Sequence, residues 1–151
     1  MEENKIVAIL KSNIGNVFKE NPSKFGAWFG GKLIEVEEGK LSAEYRVRTE
    51  MLNGIGTLHG GVIAGILDDL MGTAVVSLGS KNCYTTVNLN IDYFYPAKEG
   101  DVVTAKAFMV KKGNVIHHVQ GELWNLAIGK LLAKGTSNLL KIDVEVKYPT
   151  K

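Results

Sequence analysis

The spacing of apolar residues changes three times along this chain, and each change predicts a different element. From roughly Glu2 to Phe18 the spacing is helical: Ile6, Leu10 and Val17 share one side, with Ile14 beside them and Phe18 at the edge. Lys5, Lys11, Ser12 and Asn16 fall mostly elsewhere and face water, and Asn21-Pro22 breaks the helix. "GKLIEVEEGKLSAEYRVR" then alternates apolar and polar residues on both sides of Glu38-Gly39-Lys40, which predicts a hairpin. A loop from Thr49 to Leu58 leads into a second helix, about Gly60 to Leu78, that is apolar on nearly every side. Beyond it the period becomes two. In "CYTTVNLNIDYFYP", Thr86, Asn88, Asn90 and Asp92 alternate against Thr85, Val87, Leu89 and Ile91. "DVVTAKAFMVKKG", "NVIHHVQGELWN" and "GKLLAKGTSNLLKI" are three further strands separated by Gly-containing turns, and "VEVKYPTK" reads as a strand finishing in a loose tail.

The order helix, two strands, long helix, four strands, with short turns between consecutive strands, predicts an α+β fold. Its sheet is mainly antiparallel, with about six strands. A helix apolar nearly all round must be buried nearly all round. The sheet therefore curves around it, and because one sheet covers one side, a partner subunit is the natural cover for the rest. No repeat, low-complexity tract or second domain is visible, so residues 1–151 read as a single domain.

Composition narrows the functional classes. The net charge of +2 comes from 18 basic and 16 acidic residues, with no basic block interleaved with aromatics. That argues against nucleic acid as a partner, although lysines could serve a smaller anion such as a nucleotide phosphate. The single cysteine, Cys83, rules out an intramolecular disulfide and a cysteine-rich zinc site, and fits a reduced, cytoplasmic setting. "MEENKIVAILKSN" carries acidic residues and no long apolar run, unlike a secretory signal. Val62 to Leu78 is too short, and too interrupted by aspartates, to span a bilayer.

Those two aspartates make the second helix chemically interesting. At about 100° per residue, Ile63, Leu67, Leu70 and Ala74 form a bulky face with Ile66 at its edge. Gly61, Gly65, Asp68 and Gly72 fall on roughly the opposite side, while Asp69 points about a quarter-turn away. A stripe of small residues lets something approach the helix backbone closely. Packing by another element is one reading of the glycines. A carboxylate in that stripe must be satisfied, because burying an unpaired charge costs several kcal/mol. Asp68 could bond a backbone group or pair with Arg46 or Arg48, though neither arginine is an obvious partner from its spacing. Alternatively, Asp68 is a base or water-orienting group in a cleft. The start of the same helix, with exposed N–H groups at the positive end of its dipole, is suited to an anion or oxyanion. Gly60 and Gly61 would let a carbonyl reach those N–H groups, Asn53 could donate a second hydrogen bond, and His59 stands beside them. His117 and His118 are adjacent on a predicted strand, point to opposite faces, and suggest no metal site.

"N-G-x-G-T-L-H-G-G…D" from Asn53 to Asp68, followed by "TTVNLNIDYFYPAKEGD", resembles the hotdog-fold acyl-CoA thioesterases, in particular their PaaI-like and acyl-CoA thioesterase 13-like branch. The similarity runs from about Lys32 to Ile142. It implies a long helix wrapped by an antiparallel sheet, and a dimer that commonly pairs into a tetramer. It also implies hydrolysis of acyl-CoA to free acid and CoA, with no cofactor beyond the coenzyme A of the substrate. By position, Gly60 would give its N–H to the thioester oxygen, assisted by Asn53, and His59 would orient that corner or the thiolate leaving group. Asp68 from the opposite subunit would act as general base on water or attack directly. Thr86, or Thr85 if the register is off by one, would help to position the nucleophile. A non-catalytic acyl-CoA-binding module of the same fold is the competing expectation. A hotdog dehydratase or hydratase would pair a His with an acid in a different local arrangement, which is absent here.

Overall fold

The computed structural model describes residues 4–18 and 21–147, so the expected helix start at Glu2 and the tail from Tyr148 lie outside the described residues. Helix α1 spans Lys5–Ser12, with the Asn4 side chain capping its first turn. It is shorter than the apolar spacing predicts. Asn13 caps its C-terminus and Gly15 adopts φ +83°, so Ile14 and Val17 fall outside the helix and are exposed. A helix that the spacing does not announce, α2 (Lys24–Phe29), follows Pro22 and is capped by Ser23, whose Oγ accepts from Gly26 N–H at 2.9 Å. Strands β1 (Lys32–Glu37) and β2 (Lys40–Arg46) form the expected hairpin, turning at Gly39 with φ +75°. The long helix, α3, runs Gly60–Val76. Strands β3 (Asn82–Tyr93), β4 (Val102–Lys112), β5 (Ile116–Asn125) and β6 (Lys130–Glu145) complete the architecture. "GKLLAKGTSNLLKI" and the start of "VEVKYPTK" are one continuous strand, β6, rather than two elements.

All pairings are antiparallel, in the order β1-β2-β4-β5-β6-β3. The sheet curves around α3, which packs against β2, β3, β4, β5 and β6. Ile63, Ile66, Leu67, Leu70 and Ala74 are buried, as the bulky face predicts, and Met71 and Val75 are buried with them. Each large side chain so buried contributes roughly 1.5–3 kcal/mol relative to exposure. Gly121 lets the helix approach closely, since a Cβ there would stand 3.3 Å from both Leu67 and Met71. At the opposite end of the order from β1, β3 pairs with β6 along one side only. Thr85, Thr86, Val87 and Asn88 near its middle are exposed. Among the described residues, no helix is long and apolar enough to cross a membrane.

Candidate active site

Asp68 is half-buried on α3 and accepts a hydrogen bond from Thr86 Oγ1 at 2.8 Å. Neither arginine pairs with it. Arg48 is held by Glu50 at 2.6 Å and by the carbonyls of Trp28 and Phe29, and Arg46 donates to the Gly100 carbonyl. Among the described residues the second carboxylate oxygen of Asp68, Oδ2, has no hydrogen-bond partner. The carboxylate is thus fixed through one oxygen, with the other available.

Unbroken alternation along β3 would place Thr86 on the side facing away from Leu89 and Ile91. A bulge resolves this. Thr86 pairs with Leu139 and Asn88 with Asn138, leaving Val87 as the extra residue. The bulge switches the strand's faces, so that Tyr84 and Thr86 before it, and Leu89 and Ile91 after it, all turn toward the helix side. Thr86, not Thr85, meets Asp68.

At the other end of the constellation, His59 is the N-cap of α3, and its Nδ1 accepts from Gly61 N–H at 2.8 Å. The expectation that both Gly60 and Gly61 offer N–H groups is corrected accordingly: the imidazole occupies that of Gly61, and that of Gly60 has no acceptor among the described residues. With Nδ1 accepting, the neutral ring carries its proton on Nε2 and turns that donor outward. Asn53 organises the preceding loop. Its Oδ1 accepts from Ile55 N at 3.1 Å and Thr57 N at 3.0 Å, and its Nδ2 donates to Thr57 Oγ1 at 2.8 Å, leaving one amide hydrogen for a ligand. Tyr93 is a site neighbour that sequence reasoning missed. Its hydroxyl donates to the Gly60 carbonyl at 2.9 Å, pinning the first turn of α3 to the end of β3. Alternation places Tyr93 on the side of Leu89 and Ile91, but the contact depends on where the first turn of α3 sits against the end of β3, which spacing does not show.

The small-residue stripe serves several purposes. Gly65 packs a neighbour, since a Cβ there would stand 2.7 Å from the Phe29 ring and 2.8 Å from that of Phe25. Gly72 faces open space and lines a cavity of about 320 Å³ that also borders Asp68 and Thr86. Asp69, a quarter-turn away, belongs to the packing of α2. A methyl group on Gly26 would stand 2.4 Å from both of its carboxylate oxygens. Burial raises the pKa of Asp69, with the Asp68 charge adding to the rise, while hydrogen bonding from Ser23 and Asn21 opposes it. The phenol of Tyr45, buried in the same region, is pushed well above its ordinary value, first by burial and then by the Asp69 charge.

A raised carboxylate stabilises the fold below its unfolded pKa of about 3.9 and loses that contribution as pH rises through the folded value. The melting temperature of wild type should therefore fall relative to that of Asp69→Asn as pH rises from about 4, then run parallel. Parallel melting curves over the whole range would exclude this role for Asp69.

His117 is buried, stacks on Tyr84 with ring centroids 4.2 Å apart, and has its pKa lowered by burial and then by Lys112. His118 turns the other way, to Asn138 Oδ1 at 2.7 Å. The two side chains do take opposite faces and do not converge.

Comparison with known proteins places this geometry in context. The family profile described as Thioesterase superfamily matches residues 55–131. Acyl-coenzyme A thioesterase 13 of Homo sapiens is 35% identical over 103 residues, covering 68% of this chain and 74% of the relative. The E. coli PaaI protein from the phenylacetic acid degradation operon superposes with a TM-score of 0.81 over 97% of this chain and 100% of its own; at 21% identity, this likeness shows the fold. A hypothetical thioesterase from Streptococcus pneumoniae, solved with coenzyme A, gives a TM-score of 0.69 at 25% identity over 74% of this chain and 87% of its own.

Proposed function

The chain belongs to the thioesterase superfamily and is an acyl-CoA thioesterase of the hotdog type, and we propose that it hydrolyses its substrate at a site assembled from two subunits. Gly60 and Asn53 of one subunit polarise the thioester carbonyl, and Asp68 and Thr86 of the other activate water.

The observation that carries this reading is the separation of the two halves. Asp68 lies about 12 Å beyond Gly60 along the same helix, at about 1.5 Å per residue. A reacting carbonyl must lie about 3 Å from both the oxyanion donors and the attacking group. One protomer cannot meet that condition, whereas two antiparallel copies of α3 can. Strand β3, a long sheet edge with exposed residues at its middle, supports this arrangement, because such an edge is a template for pairing with another chain.

The chemistry then follows from the residues. Asp68 Oδ2 takes a proton from water as the water oxygen attacks the thioester carbon, and the carbonyl electron pair moves to the oxygen facing Gly60 N–H and Asn53 Nδ2. As the tetrahedral intermediate collapses, the C–S bond breaks and the thiolate leaves as CoA, receiving the proton that Asp68 took. His59 Nε2, at the same corner, donates toward the departing sulfur. The products are the free acid and CoA.

Two measurements test this. Wild type should release free thiol from a panel of acyl-CoAs; binding without turnover would favour the non-catalytic module. Gly60→Pro and Asp68→Asn variants, each nearly inactive, should regain activity when unfolded together and refolded as mixed oligomers. A mixture no more active than its components would refute the two-subunit site.

A further inference from the structure

The cavity beside Asp68 and Thr86 has about 320 Å³ of space, and about half of its lining comes from outside the family-matched residues 55–131. Ile6, Ile9 and Leu10 of α1 form its roof, and Leu139 of β6 contributes to its wall. Tyr84 forms another wall, braced from behind by the stacked His117. Its floor is the bare backbone at Gly72, with Val76 one turn further on. An apolar cavity of about 150 Å³ is known to hold a six-carbon ring. About twice that space, less the part taken by the reacting carbonyl and water, suits about eight to ten carbons. The aliphatic side chains of α1, with Val76 and Leu139, offer a flexible chain apolar contacts, while Phe18, Tyr84 and polar groups such as Asn21 and Thr73 complete the lining.

Resting on the thioesterase reading above, we propose that this cavity holds the acyl group of the substrate, a straight medium-length chain. Its length is set by α1 through Ile9 and by the missing side chain at Gly72. The position of the cavity argues for this: Asp68 and Thr86 stand at its edge, so a thioester carbon placed there sends its acyl group along α3 past Gly72 and under α1. Gly72 adds a second argument. It is helical, not at positive φ, and among the described residues its Cβ would meet nothing within 4 Å, so none of their packing requires glycine there. Leucine or alanine would favour the helix. The glycine keeps the cavity open.

The test is a chain-length profile of kcat/KM, from acetyl-CoA to palmitoyl-CoA with phenylacetyl-CoA included, for wild type, Gly72→Leu, Gly72→Ala and Ile9→Ala. Wild type should peak at medium chains. Gly72→Leu should lower kcat/KM for those substrates about tenfold or more while leaving acetyl-CoA within about twofold. Gly72→Ala should give a smaller shift of the same sign, and Ile9→Ala should move the optimum to longer chains. Unchanged profiles in all three variants of an active enzyme would overturn the proposal, as would a preference for phenylacetyl-CoA over every straight chain. Should wild type hydrolyse no acyl-CoA, the hydrolytic reading fails and the pocket is decided by decanoic acid alone. Titrated against methyl-labelled protein, it should shift the Ile6, Ile9 and Leu139 resonances in wild type but not in Gly72→Leu. Unmoved resonances would overturn the pocket.

Discussion

Asp68→Asn is expected to lower kcat for acyl-CoA hydrolysis by about 10²–10⁴-fold, the range lost when a positioned general base is removed, with little change in melting temperature. The structure explains why the fold should tolerate the change. Among the described residues Asp68 makes no ion pair that the substitution would break, and an amide oxygen can still accept from Thr86 Oγ1, now 2.8 Å from the carboxylate. What disappears is basicity at Oδ2. Thr86→Val should cost less, about 10- to 100-fold, because it removes one hydrogen bond to a charged group and leaves the base in place. Asp69→Asn is the decisive control. Asp69 lines the same cavity as Asp68 and Thr86, but its carboxylate lies against Gly26 of α2 and is held by Ser23 and Asn21 instead of by Thr86. It should retain turnover within a few-fold. Steady-state thiol release by the three variants, with circular dichroism to confirm folding, checks the order. An inactive Asp69→Asn beside an active Asp68→Asn would assign the wrong carboxylate.

How much of this was legible in the sequence follows from which interactions are local. The separation of Asp68 from Asp69 is a property of helical geometry, so the wheel of α3 revealed it before any coordinates. The six strands, their antiparallel pairing and the buried face of α3 were likewise written in periodicity. Three features were not. Helix α2 is only six residues long, too short for an apolar period to register. The β3 bulge is a single extra residue, Val87, whose presence depends on the partner strand β6. It alone decides that Thr86 and Leu89 share a side. The surroundings of Asp69 come from Ser23, Asn21 and Gly26, far away in sequence, which is why that residue had no reading until α2 was placed on α3. Half of the Asp68 question was also nonlocal. Spacing left open a pairing with Arg46 or Arg48, and only the fold shows both engaged elsewhere.

Gly60→Pro is the second large effect, expected to reduce kcat by about 10²–10³-fold, the loss typical of removing one oxyanion donor. Proline is the informative substitution because the backbone accommodates it. Gly60 is the first residue of α3, where a proline ring is tolerated and the N–H it deletes has no partner within the helix. His59 precedes it at φ −63°, ψ 133°, the extended conformation a residue before proline prefers. Gly60→Ala is the paired control. Its methyl would lie 3.4 Å from the Tyr93 ring, an ordinary contact, and its N–H is retained. If the donor is what matters, Ala should keep most of the activity and Pro should lose it at unchanged melting temperature. Equal losses in Ala and Pro would mean that the glycine serves close approach of the substrate and not hydrogen bonding. Retention in both would move the oxyanion contact to Asn53 Nδ2, whose remaining amide hydrogen is the other donor at this corner.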